Sequence, residues 1–278
     1  MRACVGLGWR PALATFIEER VTDGELGFVE VLAEHVDPRR LPEPLVALRD
    51  RGLPIVVHGL GLSLGGAARP DRRRLRHLAA CAEALRAPLV SEHLAFVRAS
   101  RLDSRHLLPV PRTRDALAVV AENVAEAQAA LPVPLALENI ATLLEWPDAE
   151  LSEADFVAEV VDRTGVSLLL DVANLYANAR NQCTDPAAPL DRLPLERVAY
   201  VHVAGGAEQD GFYRDTHRHP VGPAVLQVLA DVARRSAVPG VLVEWDGHFP
   251  TAAELDAERR AVTAALADAG GAVSGGTP

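Results

Sequence analysis

Residues 54–93 read PIVVHGLGLSLGGAARPDRRRLRHLAACAEALRAPLVSEH and hold one complete strand–helix–strand unit. Two short runs, 55–58 and 89–93, have strand character, and each is opened by a proline, Pro54 and Pro88. Between them, 71–86 repeats its apolar residues at intervals of three and four and begins with an acidic residue, Asp71, which is the pattern of an outer helix. A parallel strand covered on both faces should be apolar throughout. Yet the first strand ends in His58 and the second in Glu92-His93.

The same alternation extends in both directions. Further strands are expected at 4–7, 28–32, 135–138, 167–171, 199–203 and 241–245, and 113–131 reads as another outer helix. Eight strand–helix units in 278 residues predict an α/β fold of the (β/α)8 TIM-barrel type, one domain over 1–268. The segment 205–220 is polar, contains glycine and has no period, so it is expected to be a long loop after the seventh strand. The end, GGAVSGGTP (270–278), has little to bury, and 269–278 is expected to be a disordered tail.

Composition narrows the function. A formal net charge of -10 disfavours a nucleic-acid partner, and the arginine-rich run 69–76 has the helical spacing of a solvated face. No apolar run is long enough for a membrane span, and the N-terminal MRACVGLGW lacks the features of a secretion signal, so the expected location is the cytoplasm. Cys4, Cys81 and Cys183 form no CxxC pair and are expected to be free thiols.

In a barrel of this type the C-terminal strand ends form the active-site face. Glu30 lies on the second strand with Glu34 and His35 beyond it, and His58, Glu92-His93 and Glu138-Asn139 end the next three. Asp171 and Asn174 follow on the sixth, His202 on the seventh, Asp215 and His217 in the segment after it, and Glu244 and Asp246 at the eighth. So many ionisable groups at one mouth are costly to bury unless paired or bound to metal. Imidazole and carboxylate ligands without thiolate suit iron, manganese or zinc. His77 and His106 lie outside the strand ends and read as surface or loop residues, while Trp146, Trp245 and Phe249 read as packing or pocket-lining aromatics.

At these motifs the sequence resembles the multinuclear non-heme iron-dependent oxidative enzymes, the family that includes the iron subunit of methanobactin biosynthesis. The match runs through GLGWR (6–10), EVLAEH (30–35), HGLGLSLGG (58–66), SEHLAF (91–96) and LLPVP (107–111). It continues through LENIATLLEW (137–146), LLLDVANLYANARN (168–181), DTH (215–217) and VEWDGHFP (243–250). The ligand order is also similar to that of xylose-isomerase-like barrels, including endonuclease IV. That likeness implies one metal on His58, His93 and Glu138, and a second, bridged by Glu138, on Asp171, His202 and Glu244. Around a third it would place Asn174, Asp215 and His217.

The family resemblance implies two or three iron ions (Fe2+/Fe3+), O2 as co-substrate, and oxidation of a cysteine in a ribosomally made precursor peptide, with a leader-binding protein as a possible partner. His58, His93, Glu138, Asp171, His202 and Glu244 would be the catalytic set. Four positions depart from the family pattern: Leu13, Ala173, Gln182 and Gly206, of which Leu13, Gln182 and Gly206 stand where a histidine is usual. On the same barrel a zinc-, manganese- or magnesium-dependent hydrolase or sugar isomerase is the alternative, followed by a non-catalytic metal-binding subunit.

Overall fold

The computed structural model describes residues 4–99 and 102–273. Its strands are β1 (Cys4–Gly8), β2 (Phe28–Leu32), β3 (Ile55–Gly59), β4 (Val90–His93), β5 (Ala95–Ala99) and β6 (Leu102–Pro109). They continue with β7 (Leu135–Glu138), β8 (Ser167–Asp171), β9 (Val198–Val203), β10 (Gly205–Gln209), β11 (Phe212–His219) and β12 (Gly240–Val243). The helices are α1 (Ala14–Thr22), α2 (Glu43–Asp50), α3 (Arg72–Leu85), α4 (Arg114–Ala130), α5 (Glu153–Thr164), α6 (Val172–Gln182), α7 (Pro223–Arg235) and α8 (Ala252–Val273). Strands β1, β2, β3, β4, β7, β8, β9 and β12 close in that order into a parallel barrel, the fold the sequence predicts.

Local chemistry starts the helices where the sequence suggests. Asp71 Oδ1 accepts from the backbone N–H groups of Arg73 (2.7 Å) and Arg74 (3.2 Å), and Thr113 Oγ1 accepts from Ala116 N at 3.1 Å. Leucine and valine side chains such as Leu45, Leu75, Leu117, Val228 and Val262 are buried between barrel and helices and form the main core. The arginines of α3 lie mostly on its solvent face.

Inside the barrel the strand period of two decides the layout. Phe28, Val56, Ala136, Leu169, Tyr200 and Leu242 pack together as an inner floor. Two residues further along each chain come Glu30, His58, Glu138, Asp171, His202 and Glu244, all buried. An apolar layer therefore carries a layer of ionisable groups one pleat above it. On β1 the corresponding residues are Gly6 and Gly8, and a Cβ on Gly6 would come within 2.6 Å of the Phe28 ring.

Two expectations are corrected. The segment 205–220 is largely a β-hairpin, β10–β11, and 95–109 supplies a second hairpin, β5–β6. Neither shows simple alternation, because each is a rim ribbon whose register shifts at a bulge. The expected tail is entered by α8, which runs on to Val273 with Ala269 buried; 274–278 lie outside the described residues. Among the described residues no helix is long and apolar enough to cross a membrane.

Candidate metal centre

Register brings the strand ends together. His93 pairs across the ladder with Glu138, and His202 with both Asp171 and Leu242. Glu138 Oε2 lies 3.3 Å from His58 Nε2 and 3.2 Å from His93 Nε2. Its other oxygen, Oε1, lies 3.4 Å from His202 Nδ1, which is also 3.3 Å from Glu244 Oε2. One carboxylate thus faces two ligand groups, the arrangement a bridging ligand requires.

Each inner imidazole has one ring nitrogen tied to protein and the other turned to the common centre, as a metal-binding histidine needs. His58 Nδ1 is 2.8 Å from Ser91 Oγ, and His93 Nδ1 is 3.2 Å from the Gly59 carbonyl. His202 Nε2 is 2.9 Å from Glu30 Oε2. The same Glu30 oxygen accepts from the Tyr200 hydroxyl at 2.5 Å, and that hydroxyl is 2.7 Å from Ser91 Oγ. Glu30, Tyr200 and Ser91 therefore join His202 and His58 through one chain of hydrogen bonds. Glu92 accepts from the N–H groups of His93 (2.9 Å) and Leu62 (2.8 Å), so it anchors the backbone beside His93.

Among the described residues, four groups of potential ligands have their ligand atoms within 4.8 Å of one another: His58, His93 and Glu138; Glu138, Asp171 and His202; Asp171, Asp215 and His217; His217, Glu244 and Asp246. Glu138 Oε2, Asp171 Oδ2, His202 Nδ1 and Asp215 Oδ1 are buried without hydrogen-bond partners. Such atoms are expensive to leave unsatisfied, and the donor set fits a cluster of divalent cations. Protons fill that role otherwise. Burial opposes a charge on His93, but Glu138 and Glu92 outweigh it and lift the imidazole to about 9. Burial, with Asp215 and Glu138 nearby, raises Asp171 well above the usual carboxylate range. Against its own burial, Glu138 is held down to about 2 by His93, His202 and His58.

Not every residue from the sequence reading reaches the centre. Glu34 and His35 are exposed on a short turn after β2, where Glu34 Oε1 accepts from Leu60 N at 2.9 Å. Asn174 is buried in the first turn of α6, and its side-chain amide donates to the Asn139 carbonyl at 3.0 Å. His106 is exposed as expected, but His77 is half-buried, with Nε2 2.8 Å from the Ala33 carbonyl. Trp245 is buried and donates to Glu258 at 2.7 Å, while Trp146 and Phe249 stay partly exposed. Arg10 and Tyr200 also reach the site, at Glu244 and Glu30, although no local pattern marks them as site residues; Tyr200 lies two residues before His202, in the layer beneath the ligands.

The four departures from the family pattern have local settings of their own. Leu13 and Ala173 are buried in the main core. Gln182 is exposed and donates to Glu145 at 3.1 Å. At Gly206 a Cβ would meet the Arg214 carbonyl at 2.3 Å and the Tyr213 ring at 2.7 Å, so the hairpin leaves no room for a side chain there.

Residues 4–267 match the family described as RiPP precursor modification enzyme MbnB/TglH/ChrH. The chain belongs to this family. A UPF0276 protein of Streptomyces avermitilis is 54% identical over 272 residues, covering 95% of this chain, and the chain spans only 55% of that relative's length. A UPF0276 protein of Chromobacterium violaceum is 40% identical over 245 residues, covering 88% of this chain and 89% of its own. Among solved structures an L-ribulose 3-epimerase superposes with a TM-score of 0.62 at 17% identity, covering 98% of this chain and 97% of its own. D-psicose 3-epimerase from Clostridium cellulolyticum H10 gives 0.58 at 13% identity, covering 96% and 98%. These likenesses establish the xylose-isomerase-like barrel.

A cavity of about 360 Å³ lies between β6, the segment after β7 and β11, lined by Leu107, Pro109, Leu143, Leu144, Tyr213 and Asp215. Asp215, a member of the third group of ligands, is part of its lining.

Proposed function

We propose that this member of the family is a multinuclear, iron-dependent oxidase that uses O2 to modify a cysteine of a ribosomally synthesised precursor peptide. The observation that carries this reading is the set of buried, partnerless oxygen and nitrogen atoms at Glu138, Asp171, His202 and Asp215, in a chain matched to a RiPP-modifying family over 4–267. His58, His93 and Glu138 would hold one ion, and Glu138, Asp171, His202 and Glu244 a second. Asp171, Asp215 and His217 would hold a third, with Asn174 beside them. Iron, when bound, supplies redox chemistry and an open position for a thiolate.

The protein's own contribution is placement. The strand ends hold the ligands on a rigid barrel, and Ser91, Gly59 and Glu30 fix the imidazole rings. The apolar floor excludes water from below, and the cavity lined in part by Asp215 is the route by which an extended peptide, presented by a leader-binding partner protein, would bring its cysteine in. The test is oxygen uptake by the anaerobically purified, iron-loaded chain given its Cys-containing precursor. Uptake is expected only with that peptide and is abolished when the peptide cysteine becomes serine. Turnover undiminished with zinc and without oxygen, giving a product heavier by one water, would make the protein a hydrolase instead.

A further inference from the structure

His217 is the most exposed of the side chains assigned above to a metal, and three carboxylates from two parts of the chain contact it. Its Nε2 lies 2.6 Å from Asp215 Oδ2, and its Nδ1 lies 3.0 Å from Asp246 Oδ2 and 3.4 Å from Glu244 Oε2. It sits on the bulge where β10 and β11 change register, with a left-handed backbone at φ 52°. A non-glycine residue keeps that conformation only where its surroundings impose it. Asp246 supplies part of the constraint, since its N–H donates to the His217 carbonyl at 2.8 Å while its carboxylate faces the ring of the same residue. Asp246 is held in turn by Arg10, whose Nη2 and Nε reach Oδ1 at 2.5 Å and 3.1 Å. Buried Arg10 also donates to Glu244 Oε1 at 3.3 Å and to the Trp9 carbonyl at 3.0 Å.

Cations could be gathered on either side of this imidazole. On the Nε2 side stand Asp171 and Asp215, each with a buried oxygen lacking a partner. On the Nδ1 side stand Glu244 and Asp246, but the Arg10 guanidinium already contacts both carboxylates and would repel a second cation there. A neutral imidazole has a single N–H. Placed on Nδ1 and donated to Asp246, it leaves Nε2 bare.

We propose that Arg10 and Asp246 are positioning residues that orient His217 so that its Nε2 completes a metal position with Asp171 and Asp215. The proposal rests on the reading of the cluster as a metal centre, but not on which metal or reaction it serves. The full chain is loaded anaerobically with Fe2+, and bound equivalents are counted during titration with a chelator. In Asp246→Ala the most weakly held equivalent should lose affinity by about 10- to 100-fold while the tighter equivalents are kept. Asp246→Asn, whose amide oxygen can still accept from Nδ1–H, should recover part of the loss, and Arg10→Gln should reproduce the Asp246→Ala defect. Binding equal to wild type in Asp246→Ala and Arg10→Gln, parallel loss of every equivalent, or no recovery in Asp246→Asn would overturn the proposal. So would a wild-type chain that holds only two ions. A wild-type chain that binds no metal would instead remove the metal centre itself.

Discussion

Glu138 shows how much one side chain must do at this barrel mouth. It is buried, its Oε2 faces His58 and His93, and its Oε1 faces His202. The neighbouring carboxylates have other tasks: Glu30 is occupied by Tyr200 and His202, and Glu92 by two backbone N–H groups. Glu138→Ala should therefore lower metal content by roughly half or more, since loss of a bridging ligand weakens both ions it joins. Full loading of that variant in elemental analysis would refute the assignment. The ligand candidates were legible one by one because a histidine or carboxylate ending an apolar strand violates the expected pattern. Tyr200 was not, since an aromatic residue in a strand is ordinary packing until its hydroxyl is seen between Glu30 and Ser91.

Among the elements, the β10–β11 hairpin matters most to the site because it carries Asp215 and His217 to the mouth. Its geometry depends on Gly205, where an added Cβ would lie 1.9 Å from the His219 carbonyl oxygen, a contact with backbone that no rotamer can relieve. Gly205→Ala should force the two strands apart at the bulge. The expected cost is about 1–3 kcal/mol of stability in urea unfolding, together with weaker binding of the metal nearest His217. Unchanged stability and unchanged metal affinity would mean that the hairpin does not close here as described. Polarity and glycine content in 205–220 suggested a loop because a bulged rim ribbon shows neither a buried face nor a regular period.

Across the whole molecule, a net charge of -10 is combined with a barrel interior that buries Glu30, Glu138, Asp171 and Glu244 side by side. Mutual repulsion among these carboxylates opposes folding unless cations or protons occupy the spaces between them. Metal binding to the folded chain should then add to its stability, about 2–3 kcal/mol for a free metal concentration 100-fold above the dissociation constant. For a chain of this size, stripping the metal should lower Tm by roughly 5–10 °C at neutral pH. Differential scanning of the loaded and chelated protein checks this, and identical melting would show that the cluster carries no metal in solution.

The sequence by itself determined the barrel, because alternation between short apolar strands and amphipathic helices is a local pattern that requires no knowledge of long-range contacts. It also marked His58, His93, Glu138, Asp171, His202 and Glu244 as candidates, since each is a polar residue at a strand end, and Asp215 and His217 in the segment after the seventh strand. Only the tertiary structure decided which of these face one another. Strand register stacks the ionisable layer one pleat above Phe28, Val56, Tyr200 and Leu242, and a slip of one residue would point every ligand outward. Closure of the barrel brings Arg10, near the start of the chain, against Asp246, 236 positions later, and the hairpin bulge turns His217 onto the same carboxylate. Pairings at such separations depend on where the sheet closes and where a strand bulges, which no local window of sequence contains.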